Sequence, residues 1–309
     1  MKKLLLLASL LLPLANASAA AKGVLHIVLV GGQSNAVGQD SSKSLPSSLR
    51  KPQEDIPFYY AVVPHKGGAM HDPVYTTLRP GASHVEDGVG PEISFGKEVA
   101  SYYDGKVSND RVAIIKFARG GTNLYSQWKA GGDATTEGDG SVFRNFQKVI
   151  GQGLEALKND PELKEYEHRI EAMLWVQGEA DLSHDRAKDY AANLEAFIND
   201  VRLTYGKDLR FYFSRISSSQ TIYTDSKDPK LVANYELIRK QQAEVSESVK
   251  GATMVDIDGR KFSMLEQAHY RPYLLHFDAK GTMAIGEAFA KAYLKDVEAR
   301  KWSNPAPQP

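Results

Sequence analysis

A chain of 309 residues with 42% hydrophobic and 25% charged residues has the make-up of an ordinary globule, long enough to bury one large core. Its 38 basic and 38 acidic residues balance, and no basic run of the kind that tracks a phosphate backbone occurs, which argues against a nucleic-acid partner. There is no cysteine, so no disulfide framework is available and stability rests on the core.

The chain opens with Lys2 and Lys3, then an apolar stretch from Leu4 to Leu14, then the small residues Ala15, Ala17, Ala19 and Ala20. Residues 1–20 therefore read as a cleavable signal peptide, too short to span a bilayer, with export to the periplasm or the medium as the expected outcome. Its removal leaves 36 basic against 38 acidic residues. No later apolar run reaches the roughly 20 residues of a membrane span, so no stable membrane insertion is expected after cleavage. Residues 22–300 are expected to form a single domain. The tail 301–309, with Pro305, Pro307 and Pro309, is expected to be disordered.

Within that domain, apolar runs of strand length alternate with amphipathic stretches of helix length. Strands are expected at 24–31, 111–117, 170–176, 209–214 and 253–256, and helices near 93–102, 142–157, 186–204, 231–249 and 282–295. Apolar strands separated by helices indicate parallel βαβ units, hence an α/β doubly wound sheet covered on both faces. The segment from Gln39 to Gly90 breaks the pattern. Rich in Pro, Gly, Ser and His, with strand-like residues only near 58–63, it reads as a functional or lid-like excursion.

Four segments at element ends carry polar groups suited to chemistry. The first expected strand ends in Gly31-Gly32-Gln33-Ser34-Asn35. Ligands bind at the carboxyl ends of such strands, and Ser34 would begin a helix, where developing negative charge is favoured. Ser34 fits a plain helix N-cap equally well, and Ala36 departs from the Gly-x-Ser-x-Gly elbow. The second strand ends in Ala118-Arg119-Gly120-Gly121-Thr122, a source of backbone N–H donors or simply a tight turn. The third runs into Gln177-Gly178-Glu179-Ala180-Asp181. Here Gln177 could donate to an oxyanion, Glu179 could orient a histidine, and Asp181 could cap a helix. Last, His276-Phe277-Asp278 precedes the final helix and offers a general base. No metal is expected there, because a third ligand at useful spacing is lacking.

Taken in order, Gly-Gln-Ser-Asn at 32–35, Ala-Arg-Gly-Gly-Thr at 118–122, Trp-Val-Gln-Gly-Glu-Ala-Asp at 175–181 and His-Phe-Asp-Ala-x-Gly at 276–281 resemble the SGNH/GDSL hydrolases. Within that superfamily they are similar to the sialate O-acetylesterase-like branch that includes carbohydrate esterase family 6, and Gly-Pro-Glu at 90–92 matches a further signature of that branch. The resemblance spans about residues 24–295. It implies a three-layer α/β/α sandwich of flavodoxin-like type with a central parallel sheet, and no cofactor. The implied activity is hydrolysis of acetyl esters on an acetylated carbohydrate, with Ser34 as nucleophile and His276 as base. The oxyanion hole would be the Ser34 N–H, an N–H of Gly120 or Gly121, and the Gln177 side chain.

One position departs from the superfamily. An aspartate commonly stands three residues before the histidine, and here that residue is Tyr273, which cannot accept the imidazole N–H as a carboxylate does. Glu179 is the first candidate for the third member, Asp258 the second, and a backbone carbonyl the third. Two rival functions follow from the same residues. One is a lipase or thioesterase of broader ester range, and the other is a carbohydrate-binding protein without catalysis. Tyr59, Tyr60, His65 and His71 of the long excursion are expected to form a wall that recognises the sugar.

Overall fold

The computed structural model describes residues 21–64, 68–107, 109–129, 139–259 and 261–303, the side chains of the last three excepted. The expected signal peptide, His65 and the end of the tail lie outside these residues.

Among the described residues seven strands form one sheet: β1 (Val24–Gly32), β2 (Gln53–Ala61), β3 (Val74–Leu78), β4 (Arg111–Phe117), β5 (Glu167–Val176), β6 (Arg210–Ser214) and β7 (Ala252–Val255). Their order is β3-β2-β4-β1-β5-β6-β7, and every pairing is parallel except that of β2 with β3. The helices are α1 (Ser34–Val37), α2 (Ser47–Arg50), α3 (Glu92–Lys106), α4 (Ser141–Asn159), α5 (Tyr190–Tyr205), α6 (Thr221–Thr224), α7 (Pro229–Ser248) and α8 (Ala279–Ser303). The last helix runs to Ser303, so it takes in the first three residues of the segment expected to be a tail.

Side-chain alternation divides the core between the two faces of the sheet. Leu25, Ile27 and Leu29 of β1 join Ala113, Ile115 and Phe117 of β4 under α4, α5 and α7, where Phe146, Phe197 and Ile238 pack. Val28 and Val30 join Val112 and Ile114 on the opposite face under α3 and α8, against Phe95, Ile285 and Phe289. Both faces are covered, which is why β1 reads as an apolar run and not as an alternation. The result is the three-layer α/β/α arrangement.

Part of the long excursion belongs to this sheet. Strand β2 pairs with β4 from Phe58 onward, and Tyr59 points into the α4 side of the core. Pro57 precedes that ladder and sits at an irregularity in the pairing with β3, where its missing N–H costs no inter-strand bond. The excursion is therefore a sheet edge with loops, and a lid describes only part of it. The polar residues Gln53, Glu54 and Asp55 at the start of β2 and the proline at 57 hid this from the sequence pattern.

Strands β4, β1 and β5 stand side by side at the centre. The chain completes β2, β3 and β4 on one side of β1 and then crosses to build β5, β6 and β7 on the other. The carboxyl ends of these three strands therefore form the topological switch point, where ligands bind in such sheets.

Candidate active site

Strand β1 delivers Ser34 through a bend that only glycine accommodates. Gly32 has φ +135°, and a Cβ there would lie 2.2 Å from the Val176 carbonyl oxygen of β5. The Gln33 N–H donates to that same carbonyl at 2.9 Å, which locks the bend to the neighbouring strand. Helix α1 is a single turn of four residues, so a helix dipole adds little at Ser34; what matters is how the turn is held. The Gln39 side chain donates to the Ser34 carbonyl at 3.1 Å. The buried Lys116 ammonium donates to the Val37 carbonyl at 3.1 Å and to Glu92 at 2.8 Å. Burial pushes the Lys116 ammonium down, and the Glu92 carboxylate opposes that shift. Gly-Pro-Glu at 90–92 thus supplies a counter-ion that pins the serine turn from below.

His276 reaches Ser34 from 242 residues away, with Nε2 3.0 Å from Oγ. Both residues are mostly buried, at 8% and 6% exposure, so the pair meets at the floor of a cleft and away from bulk water. The cleft encloses about 360 Å³ and is walled by Gln33, His84, Arg119, Glu179, Tyr223 and Tyr270. Burial, followed by the charge of Glu179, pushes the Tyr223 hydroxyl well above its ordinary range, so it stays a neutral donor. Among the described residues no group of three His, Cys, Asp or Glu side chains could hold a metal ion.

Gly120 follows β4 and lies beside the serine: a Cβ built on it would be 3.8 Å from Ser34 Cβ. Its loop is tied down. Thr122 Oγ1 donates to the Arg119 carbonyl, Trp128 Nε1 donates to Thr122 Oγ1, and both Asp181 carboxylate oxygens accept backbone N–H groups, from Leu124 and Tyr125. Burial raises the Asp181 carboxyl, against the lowering effect of these amides and of the Gln177 side chain.

That last contact corrects one expectation. Gln177 does not face the cleft. Its Nε2 donates to the Thr122 carbonyl at 3.2 Å and to Asp181 at 2.6 Å, and its Oε1 accepts from Tyr190. Both amide hydrogens are committed, so none is left for a substrate oxygen. Gln177 instead braces the loop that carries Gly120 and Gly121.

The candidates for the third member are corrected too. His276 Nδ1 lies 2.6 Å from Gln267 Oε1, a residue the sequence did not single out. Glu179 lines the cleft, but its Oε1 accepts from Asn35 at 2.8 Å and from Gln220 at 3.0 Å, and its Oε2 has no hydrogen-bond partner among the described residues. Asn35 Oδ1 in turn accepts the Phe277 N–H, and Gln220 donates to the Leu275 carbonyl. Glu179 therefore grips the backbone on either side of His276 through two amides. Asp258 forms a two-pronged pair with Arg239 at 2.7 and 3.1 Å, and accepts the Ser218 N–H. That use stabilises the β7 end of the sheet. Of the expected sugar wall, Tyr59 is in the core, while Tyr60 and His71 line a second cavity that shares Pro64 and His84 with the main cleft.

A family model described as carbohydrate esterase, sialic acid-specific acetylesterase, matches residues 24–295. Among solved structures, the chain is similar to NanS at 15% identity and TM-score 0.60, covering 91% of this chain and 99% of that one. A protein from Arabidopsis thaliana is similar at 19% identity and TM-score 0.58, over 89% and 98% of the two chains. XAC1771, described as a novel carbohydrate acetylesterase from Xanthomonas citri, gives 15% identity and TM-score 0.51 over 87% of this chain and 56% of that one. No curated protein sequence matches.

Proposed function

The chain belongs to the carbohydrate esterase, sialic acid-specific acetylesterase family and is a carboxylic-ester hydrolase; from that premise we propose that it removes acetyl groups from sugar hydroxyls through an acyl-enzyme on Ser34. The contact of Ser34 Oγ with His276 Nε2 at 3.0 Å carries this reading. A serine and an imidazole at hydrogen-bond distance, in a cleft, form a nucleophile and its base.

In the proposed reaction Ser34 Oγ attacks the acetyl carbonyl carbon while His276 Nε2 takes the hydroxyl proton. The carbonyl oxygen becomes an oxyanion held by the N–H groups of Ser34 and Gly120, with Gly121 next in line; Gly121 has φ +67°, a conformation suited to turning an amide toward a neighbour. His276 returns the proton to the sugar oxygen as the C–O bond breaks. A water then attacks the acetyl-Ser34 carbonyl carbon and gives a proton to His276, which passes it to Ser34 Oγ as the acyl C–O bond breaks, leaving acetate and free serine.

The wall of the cleft favours a sugar ester over a lipid. Gln33, Gln39, His84, Arg119 and Glu179 supply hydrogen-bonding groups suited to ring hydroxyls, whereas a long acyl chain would need a continuous apolar channel. At about 360 Å³ the cleft lies at the small end of ligand sites. A chain-length series of p-nitrophenyl esters tests this choice. The expected order is acetate well above octanoate, and the reverse order would favour a lipase. Export is part of the proposal and rests on Lys2, Lys3 and the apolar residues 4–14. Among the described residues no helix is long and apolar enough to cross a membrane.

A further inference from the structure

With no aspartate at position 273, the imidazole takes its second hydrogen bond from the other arm of its own loop. The Leu265 N–H donates to the His276 carbonyl at 2.8 Å, the Asp278 N–H donates to the Ser263 carbonyl, and Met264 bridges to Phe277 in antiparallel fashion. This two-armed arrangement brings Gln267, nine residues before His276, across from the ring, where Oε1 meets Nδ1 at 2.6 Å. The Gln267 backbone is fixed as well, since its carbonyl accepts the Tyr270 N–H. Tyr270 then closes edge-on over the imidazole, 5.6 Å between centroids.

We infer that Gln267 is the residue that positions His276, so that the catalytic constellation is Ser34, His276 and a neutral amide in place of a carboxylate. This rests on the serine-hydrolase reading above. An amide oxygen has no proton to give, so Nδ1 must carry the hydrogen and Nε2 is left free to accept from Ser34. Orientation and tautomer are thereby set as an aspartate would set them. What the amide does not supply is a negative charge against the imidazolium that forms during attack. Among the described residues, the other titratable or charged groups that line the cleft with His276 are Glu179 from the turn after β5, Arg119 from the β4 loop, His84, Tyr223 and Tyr270. Asp278, at the start of α8, is engaged with Ser263 and the Gly281 N–H.

The test is steady-state kinetics on p-nitrophenyl acetate across pH, with Gln267→Ala, Gln267→Glu and Ser34→Ala compared with wild type. Gln267→Ala is expected to lower kcat about 10- to 100-fold with KM within about two-fold, because the base loses its orientation and not the substrate its contacts. Gln267→Glu keeps an oxygen at the same place and adds charge. It is expected to retain activity at alkaline pH and to move the acid limb of kcat/KM upward by about 1–3 pH units. A merely structural glutamine would not produce that shift. Unchanged kcat in Gln267→Ala, or an unmoved acid limb in an active Gln267→Glu, would overturn the inference while Ser34→Ala stays inactive. Hydrolysis surviving in Ser34→Ala would instead bring down the serine reading itself.

Discussion

Glu179 accepts two side-chain amides on a single oxygen, and those amides hold the peptide groups before and after His276. Its role is therefore separable from that of a triad acid. Glu179→Gln retains an oxygen able to accept from Asn35 and Gln220, so turnover is expected to stay within about ten-fold of wild type, whereas loss of a triad carboxylate costs about 10⁴. Glu179→Ala leaves both amides without their acceptor and is expected to lower kcat about 10- to 100-fold through displacement of the base. Measuring kcat for the two variants side by side decides between the roles. Ser34, His276 and Glu179 were drawn together by the family resemblance of the motifs that carry them; position alone, at the end of an apolar strand or before a helix, left each open to a capping or turn role. The sequence missed Gln267 because no periodicity marks the loop that carries it, and only the pairing of 263–265 with 276–278 brings it to the ring. Gln177 was misplaced for a different reason: its position after β5 was right, but side-chain direction depends on Asp181 and Thr122, which sequence order alone does not orient.

Single elements here are steered by buried polar groups more than by propensity. The turn α1 is four residues long and has no stability of its own. It is held by the β5 carbonyl at Gln33 and by the Lys116–Glu92 pair under Val37. Removing one partner leaves the other as an uncompensated buried charge, so Lys116→Met is expected to destabilise the protein by about 3–5 kcal/mol. Denaturant unfolding measures this, and the Lys116→Met, Glu92→Met double variant should recover most of the loss. If the single variant loses less than about 1 kcal/mol, the pair does not anchor the turn. The loop after β4 depends on Asp181 in the same manner. Asp181→Asn exchanges a carboxylate oxygen for an NH₂ group facing the N–H groups of Leu124 and Tyr125, so at least one of those donors loses its acceptor. The loop bearing Gly120 should then shift, with a fall in kcat as its expected signature and little change in the affinity of a product sugar. The strands that frame these sites were legible as apolar runs. The ion pair beneath the serine turn was not, because Lys116 lies inside the run 111–117 and reads there as an exception to be tolerated.

Across the whole molecule, the order β3-β2-β4-β1-β5-β6-β7 brings three segments separated by more than fifty residues each to one edge of a covered sheet. The alternation of strands and helices was enough to foresee a doubly wound α/β architecture, and the motifs at 32–35, 118–122 and 175–181 fell at the ends of the three central strands. Strands β2 and β3 were not foreseen in full, because an edge hairpin with a proline and polar residues lacks the apolar signature of the buried strands. For the chain ends, the proposal of export predicts that intact mass of protein recovered outside the cytoplasm will show loss of about twenty N-terminal residues. Full-length mass in that fraction would contradict it. The account as a whole turns on whether the serine at the switch point is the atom that takes the acyl group. Treating the folded enzyme with an organophosphonate probe and mapping the adduct by mass spectrometry tests that directly. The account predicts one stoichiometric adduct on the peptide containing Ser34, with hydrolysis lost in proportion and no labelling in Ser34→Ala. Full inhibition with the adduct on another residue, or full esterase activity with Ser34 unlabelled, would contradict it.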